Sequence, residues 1–336
     1  MSVHDGSAWF YPALWAGIAM TSLFGLRKFR SSKWGYFKID QDLQGRVIVV
    51  TGANTGLGYH VCLQLAKAKA TVILACRSET KGSEALRRIR SATRNEDLHF
   101  MPLDLANLES VQKFAQELQA QFPKIDCLVC NAGVWFPMEQ GCRTQDGYEI
   151  HFGVNHLGHY LLARSLMENL KQSEDGRVVM VSSALMNRGQ LDCSNRKIIY
   201  EGRVLDPTER KKYDSPGYND SKLMNSLFAK ALAQIVPDRV GVYSVSPGWC
   251  YTDLFRGGSW LKKLLILPFA FLFMRSASRG AQNIVHAVVE DKGQLTNGAY
   301  YADCQLALKE NKKLDAMASE GQELWRLSDD LIRSYL

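Results

Sequence analysis

Two kinds of apolar pattern alternate along the chain. Short β-branched runs give way to stretches in which apolar residues recur every three or four positions. Val47–Thr51, Thr71–Cys76, Leu98–Leu103, Ile125–Cys130, Arg177–Ser182 and Val240–Val245 read as strands. Between them Leu57–Lys69, Glu79–Ser91, Leu108–Gln121, Tyr148–Lys171 and Gly217–Ile235 read as helices. Ser276–Glu290 adds a packing helix, Tyr300 and Tyr301 lie near a last strand, and Leu314–Leu331 forms a helical tail. Strict alternation predicts an α/β fold, a Rossmann-type doubly wound parallel sheet with helices on both faces. Such a sheet binds its ligand at the carboxyl ends of its strands.

Those strand ends carry glycine and polar residues. After the first strand comes Thr51-Gly52-Ala53-Asn54-Thr55-Gly56-Leu57-Gly58. A strand, a glycine loop and a helix in that order aim backbone N–H groups and a positive helix end at one point, where a pyrophosphate fits. Gly52 permits the tight turn, Gly56 a close approach to phosphates, and Gly58 close packing of helix on strand. The glycine spacing is one residue wider than the usual dinucleotide fingerprint. Arg77 follows the second strand, Asp104 the third and Asn131-Ala132-Gly133 the fourth; Ser182-Ser183 ends the fifth, and Pro247-Gly248 follows the sixth. Tyr218 and Lys222 stand four apart at the start of a helix and so share one face. A phenol has a pKa near 10. An adjacent ammonium favours the phenolate, which equips the pair for proton exchange.

The chain has 336 residues, 46% of them hydrophobic and 22% charged, an ordinary globular composition. The net charge of +7 is spread without a basic run, so no nucleic-acid surface is expected. The eight cysteines are dispersed, as reduced thiols facing the cytosol would be. Cys127 and Cys130 have CxxC spacing but sit in a strand, where residues three apart face opposite sides. His151, His156 and His159 lack the HExxH spacing and read as surface or core histidines, with no metal expected.

Both ends add features to this frame. Gly6–Leu26 has no charged residue, is rich in Trp, Tyr and Phe, and is followed by Arg27, Lys28, Arg30 and Lys33. A helix of about 20 apolar residues spans a bilayer. Residues 1–30 therefore read as a membrane anchor with a cytosolic basic flank, rather than a cleaved signal peptide or a surface-lying amphipathic helix. Residues 31–44 are a linker and 45–336 a single dinucleotide-binding catalytic domain. Within it, about 253–275 carries the apolar run Leu264–Met274 between Lys262, Lys263 and Arg275. That run is too short to span a bilayer. Its readings are a substrate flap dipping into a membrane, a buried helix, or a contact between two copies.

Taken jointly, Thr51–Gly58, Asp104, Asn131-Ala132-Gly133, Asn155, Ser183, Tyr218, Lys222 and Pro247-Gly248 resemble the short-chain dehydrogenase/reductase family over roughly Gly45 to Tyr301. The N-terminal segment, Leu74-Ala75-Cys76-Arg77, Leu103-Asp104-Leu105-Ala106 and Phe152-Gly153-Val154-Asn155-His156-Leu157-Gly158-His159 resemble its membrane-anchored retinol dehydrogenase branch. The resemblance implies that Tyr218 is the general acid/base, with Lys222 lowering its pKa and holding the nicotinamide ribose. Ser183 would bond the substrate oxygen, and Asn155 would hold a water that links Lys222 to solvent. It implies that Gly52, Asn54, Thr55, Gly56, Leu57 and Gly58 cradle the cofactor and that Asp104 and Leu105 contact its adenine. Asn131, Ala132 and Gly133 would line the ribose side, and Pro247, Gly248 and Thr252 would flank the nicotinamide. Two departures stand out. Cys130 replaces the first of two asparagines the family often has. The stretch from Ser183 to Tyr218 is long, and Asn187–Ser215, with Arg196, Lys197, Arg203, Arg210, Lys211 and Lys212, reads as an enlarged solvated loop at the site mouth.

Arg77 bears on the cofactor. An acidic residue there would hold an adenosine 2′-hydroxyl, whereas a guanidinium pairs a 2′-phosphate bidentately, so NADP(H) is expected. The expected activity is interconversion of lipophilic, retinol- and retinal-like alcohols and aldehydes, chiefly as reduction, at the endoplasmic reticulum with the catalytic domain facing the cytosol. The alternatives are long isoprenoid (polyprenol-like) or steroid substrates, and a non-catalytic NADP-binding scaffold or sensor on a membrane.

Overall fold

The structure is a computed structural model that describes residues 7–137, 141–195, 197–203, 215–251 and 270–336. The alternating pattern forms β1 (Val47–Thr51), β2 (Thr71–Cys76), β3 (Leu98–Pro102), β4 (Cys127–Cys130), β5 (Gly176–Val181) and β6 (Val240–Ser246). Short strands β7 (Cys250–Tyr251), β8 (Arg275–Ser276), β9 (Tyr300–Ala302) and β10 (Gln305–Leu306) follow. The helices are α1 (Ser7–Ser32), α2 (Gly56–Lys67), α3 (Glu79–Thr93), α4 (Leu108–Gln121), α5 (Gly158–Ser165), α6 (Met167–Lys171), α7 (Lys197–Glu201), α8 (Pro216–Ala233), α9 (Ala277–Val289), α10 (Leu308–Ala316) and α11 (Ala318–Ile332).

The main sheet runs β10-β9-β6-β5-β4-β1-β2-β3 and is parallel except for β10. β1 pairs with β2 on one side and β4 on the other. The chain therefore winds outward to β3 and then returns past β1, leaving a crevice at the reversal. The period-2 alternation of strand side chains divides the core into two layers. Val49, Ile73, Leu128, Cys130, Val178 and Met180 pack with α4, α5, α8 and α11. Ile48, Val50, Leu74, Cys127, Val129 and Val179 pack with α2, α3 and α9. Cys127 and Cys130 thus face opposite layers, and both are buried free thiols. Burial pushes both thiols well above the ordinary range, Cys127 to about 12.

Two predicted helices differ in detail. Tyr148–Lys171 starts later and opens with a π-helical turn over Phe152–Leu157, which continues into α5 and breaks before α6. Apolar spacing registers a helix either way and carries no mark of the extra residue in a π turn. The tail is two helices, α10 and α11, broken at Met317.

At the N-terminus α1 is continuous, but no helix among the described residues is long and apolar enough to cross a membrane. Gly17, Thr21, Ser22 and Gly25 dilute the apolar stretch that the sequence offered as just long enough to span. Rings are nonetheless exposed along it, Tyr11, Trp15, Phe24 and Phe29 each by about three fifths. Its last turns dock on residues 271–274. Arg27 Nη1 donates to the Met274 carbonyl at 2.8 Å, and its guanidinium lies over Trp34. Phe24 meets Phe271 edge-on, and Arg30 covers Phe273. Most of the predicted flap, with Lys262, Lys263 and Leu264–Phe269, lies outside the described residues, as does Thr252. The ends of that stretch pair, β7 with β8. Arg196, Arg210, Lys211 and Lys212 of the predicted loop are also outside the described residues.

Candidate active site

The glycine loop leaves β1 at the crevice. Gly52 and Gly56 adopt φ of +65° and +56°, the left-handed region that glycine occupies without strain. A Cβ on Gly58 would stand 2.3 Å from the Gly52 carbonyl and 2.6 Å from Asn131 Nδ2. Gly58 therefore lets α2 close on the loop itself and on the end of β4, rather than on the strand alone. The Thr55 side chain makes no cap at α2, so first-turn N–H groups keep no side-chain acceptor. Asn54, Thr55 and Leu57 are all half-buried there. That cradle fits a pyrophosphate.

Beyond it, each predicted strand-end residue lies on the same edge of the sheet. Arg77 is exposed directly after β2, and Ser78 caps α3 by accepting from the Lys81 N–H. Asp104 Oδ1 accepts from the Ala106 N–H, and Leu105 is buried with its carbonyl against Gly158. Asn131 and Ala132 both donate backbone N–H to Thr51 Oγ1 at 2.9 Å, and Asn131 Nδ2 donates to the Thr51 carbonyl. Gly133 is exposed, with its open Cβ position 3.5 Å from Lys222 Nζ. Pro247 is buried and Gly248 turns at φ +76° beside the Arg275 guanidinium.

Four side chains from three elements converge beside this cradle. Tyr218 and Lys222 come from the first turns of α8, Ser183 follows β5, and Asn155 lies in the π turn. Lys222 Nζ donates to the Val181 carbonyl at 2.9 Å and lies 5.5 Å from the Tyr218 ring centre. Burial pulls the Lys222 ammonium down to about 8. Burial also pushes the Tyr218 phenol up to about 12, opposed by its hydrogen bond with Ser183. The arrangement is thus a weakened cation beside a phenol held in its protonated form. The Asn155 side chain is fully engaged: Oδ1 accepts from the Val134 N–H, and Nδ2 donates to the Val134 carbonyl and Ser221 Oγ. A water held by this residue would meet its main-chain carbonyl, which accepts from His159 Nδ1 at 3.0 Å.

Several supporting residues escaped sequence reasoning. Thr51 ties the loop after β4 to β1, and His159 Nε2 lies 2.9 Å from its hydroxyl. The Asn155 carbonyl only accepts, so His159 Nδ1 carries the proton and Nε2 is bare, facing a Thr51 hydroxyl whose own proton also reaches the Val129 carbonyl. Burial first of all holds the His159 imidazole down near 4, so it stays neutral. His156 is likewise buried, on Ser328 Oγ. Nothing in the apolar periodicity separates such a histidine from an ordinary core residue.

Comparison with known proteins agrees with this geometry. The short chain dehydrogenase family profile matches residues 46–194. Mouse retinol dehydrogenase 11 is 36% identical over 313 residues, covering 91% of this chain and 92% of the relative. The chain belongs to the short-chain dehydrogenase/reductase family. Within it the chain falls in the retinol dehydrogenase-like branch. Among solved structures, an uncharacterized protein from Mycobacterium paratuberculosis superposes with a TM-score of 0.66 at 26% identity, covering 89% of this chain and 98% of its own. L-sorbose reductase from Gluconobacter frateurii, solved with NADPH and L-sorbose, has a TM-score of 0.61 at 20% identity, covering 78% and 96%, and shares the fold. As a member of this family the chain is an oxidoreductase that works with a nicotinamide cofactor. The residues fit that group: a glycine cradle without side chains, uncapped N–H groups at α2, and a cation at the end of β2.

Proposed function

We propose that the chain is an NADP(H)-dependent oxidoreductase of lipophilic alcohols and aldehydes, retinol- and retinal-like, working mainly as a reductase at a membrane surface. The observation that carries it is the convergence of Tyr218, Ser183, Lys222 and Asn155 beside the glycine cradle. The relationship to retinol dehydrogenase 11 supplies the substrate class. The exposed rings of α1 support the membrane setting, with the endoplasmic reticulum as the expected compartment.

In this reading the dinucleotide's phosphates rest on Gly52, Asn54, Thr55, Gly56, Leu57 and Gly58. Arg77 takes the 2′-phosphate, Asp104 and Leu105 meet the adenine, and Asn131, Ala132 and Gly133 line the ribose. Pro247, Gly248 and Thr252 flank the nicotinamide. When bound, the cofactor supplies or accepts the hydride at the substrate carbon. Tyr218 gives its phenolic proton to the substrate oxygen in reduction and takes it back in oxidation. Ser183 holds that oxygen by donating its hydroxyl proton to it. Lys222 bonds the ribose and stabilises the phenolate left on Tyr218, since a cation favours the charged form of its neighbour.

The test is one assay set on membranes carrying the full chain. NADPH and NADH are compared against retinal, a long isoprenoid aldehyde and a steroid ketone, with Tyr218→Phe alongside. Retinal reduction that prefers NADPH and vanishes in Tyr218→Phe supports the reading. Turnover surviving Tyr218→Phe overturns the catalytic assignment. NADPH binding without turnover on any carbonyl points instead to a scaffold or sensor.

A further inference from the structure

Outside the four converging side chains, one largely buried ionisable pair touches two of the elements that carry them, the π turn and α8, and the loop after β4. Glu149 and His151 lie just before the π turn, both nearly inaccessible to solvent. His151 Nδ1 is 2.5 Å from Glu149 Oε1, and the other carboxylate oxygen accepts from the Phe152 N–H at 2.7 Å. Phe152 begins the turn that holds Asn155. On its other side His151 Nε2 accepts from the Phe136 N–H at 3.0 Å. A backbone amide only donates, so Nε2 is bare and Nδ1 carries the proton. Phe136 lies in the loop after β4, two residues beyond Val134, which Asn155 holds by both its backbone groups.

The same pair touches the start of α8. Ser215 Oγ donates to the Phe136 carbonyl at 2.8 Å and lies 3.4 Å from His151 Nε2. A Cβ on Gly217 would sit 3.0 Å from both Glu149 Oε1 and His151 Nδ1. The His151 ring meets the Tyr218 ring edge-on at 6.2 Å between centres. So one imidazole, its tautomer fixed by one carboxylate, fastens the loop after β4 to the turn that presents the phenol.

We propose that Glu149 and His151 form a positioning pair that sets Tyr218 against the loop after β4. It touches neither the glycine cradle nor Lys222, so it governs the aim of the phenol and the seating of residues 134–136, and leaves cofactor affinity alone. This rests on Tyr218 being the proton donor, as proposed above. A displacement of about 1 Å at a reacting group costs on the order of a hundredfold in rate. A loop and a phenol released together therefore lower kcat strongly.

The experiment compares His151→Phe, His151→Gln and Glu149→Gln in the full chain, each first checked for a cooperative melt. Phenylalanine keeps a ring beside Tyr218 but offers no acceptor. Glutamine places an amide oxygen about where Nε2 sits. We expect His151→Phe to lower kcat for retinal reduction by roughly tenfold to a hundredfold, with the NADPH dissociation constant within about twofold of the parent. His151→Gln recovers most of kcat, and Glu149→Gln falls between. Amide hydrogen exchange, which needs no turnover, rises in Val134–Phe136 and in Ser215, Gly217 and Tyr218 together in His151→Phe and returns in His151→Gln. An unchanged kcat and exchange pattern in His151→Phe overturns the proposal. So does an equal loss in Phe and Gln, or a parallel loss of NADPH affinity, since either marks a general scaffold role. Tyr218→Phe separates the two layers. If it stays active, the functional reading fails while the exchange data still judge the pair; if it is dead and His151→Phe is not, only the pair fails.

Discussion

Lys222 shows what the site costs the fold. Its ammonium is buried with a single acceptor among the described residues, and burial lowers its pKa to about 8. A folded-state pKa below the unfolded value means that the folded chain binds the proton less well. Below about pH 8 the residue is charged in both states, and the folded state carries the whole penalty. With the ordinary value at 10.5, that penalty is about 3 kcal/mol. Lys222→Met removes it and leaves the Val181 carbonyl unpaired, at about 1 kcal/mol. The variant should be more stable by about 2 kcal/mol at pH 7 and inactive, checked by denaturant midpoints and turnover. The gain should shrink as pH rises from about 8 to 10.5, where the lysine becomes neutral in both states. At the other end of the crevice, Arg77→Glu should weaken NADPH binding about 10- to 100-fold, the loss of a charge-assisted bidentate contact. NADH binding should tighten in the same titration, because a carboxylate there takes the adenosine 2′-hydroxyl. Gly58→Ala, whose methyl would meet the Gly52 carbonyl, should cost about 2 kcal/mol or more and abolish dinucleotide binding.

At the scale of elements, the decisive joint lies between β1 and the loop after β4. Thr51 is fully buried and accepts two backbone N–H groups from that loop. Thr51→Val keeps the volume, orphans the Ala132 N–H and leaves the Asn131 N–H only the Val129 carbonyl, so it should destabilise by about 1–3 kcal/mol with an unchanged denaturant slope. This joint also marks how far the sequence could be read. The strands, the order of elements and the glycine loop were legible because each is coded within a short window: a β-branched run, an apolar spacing, a glycine needing positive φ. Tyr218 and Lys222 were legible as a pair because four residues make one helical turn. Their union with Ser183 and Asn155 was legible only through resemblance, since those side chains meet by folding across long separations. The π turn, the histidine on Thr51 and the Glu149–His151 pair were not legible. Each is defined by what it touches in space, and a buried histidine leaves the same trace in a sequence as an exposed one.

At the scale of the molecule, the sheet supplies the platform and the N-terminal helix a second, very different surface. The far edge of the sheet is fastened by charge: Arg177, almost wholly buried, forms two bonds to Asp175 and one to the Ala287 carbonyl. That clamp ties the start of β5 to α9, away from the crevice. α1 is joined instead to residues 271–274, where Arg27 and Arg30 lie over aromatic rings. Those rings border the stretch that separates β7 from β8, so the helix meets the domain on the side where the substrate mouth is proposed.

Farther along α1, Trp15 and Phe29 stand about two thirds and three fifths exposed. Water cannot solvate that much contiguous hydrocarbon without penalty. In dilute aqueous buffer the full chain should associate with rising concentration, as one exposed helix finds another. Light scattering in buffer and in mild detergent micelles would show it, with a uniform small particle only in detergent. Uniform particles in plain buffer would mean that the rings are sheltered by some other arrangement of the chain. For anyone purifying this oxidoreductase, the helix decides the solvent before the active site decides the assay.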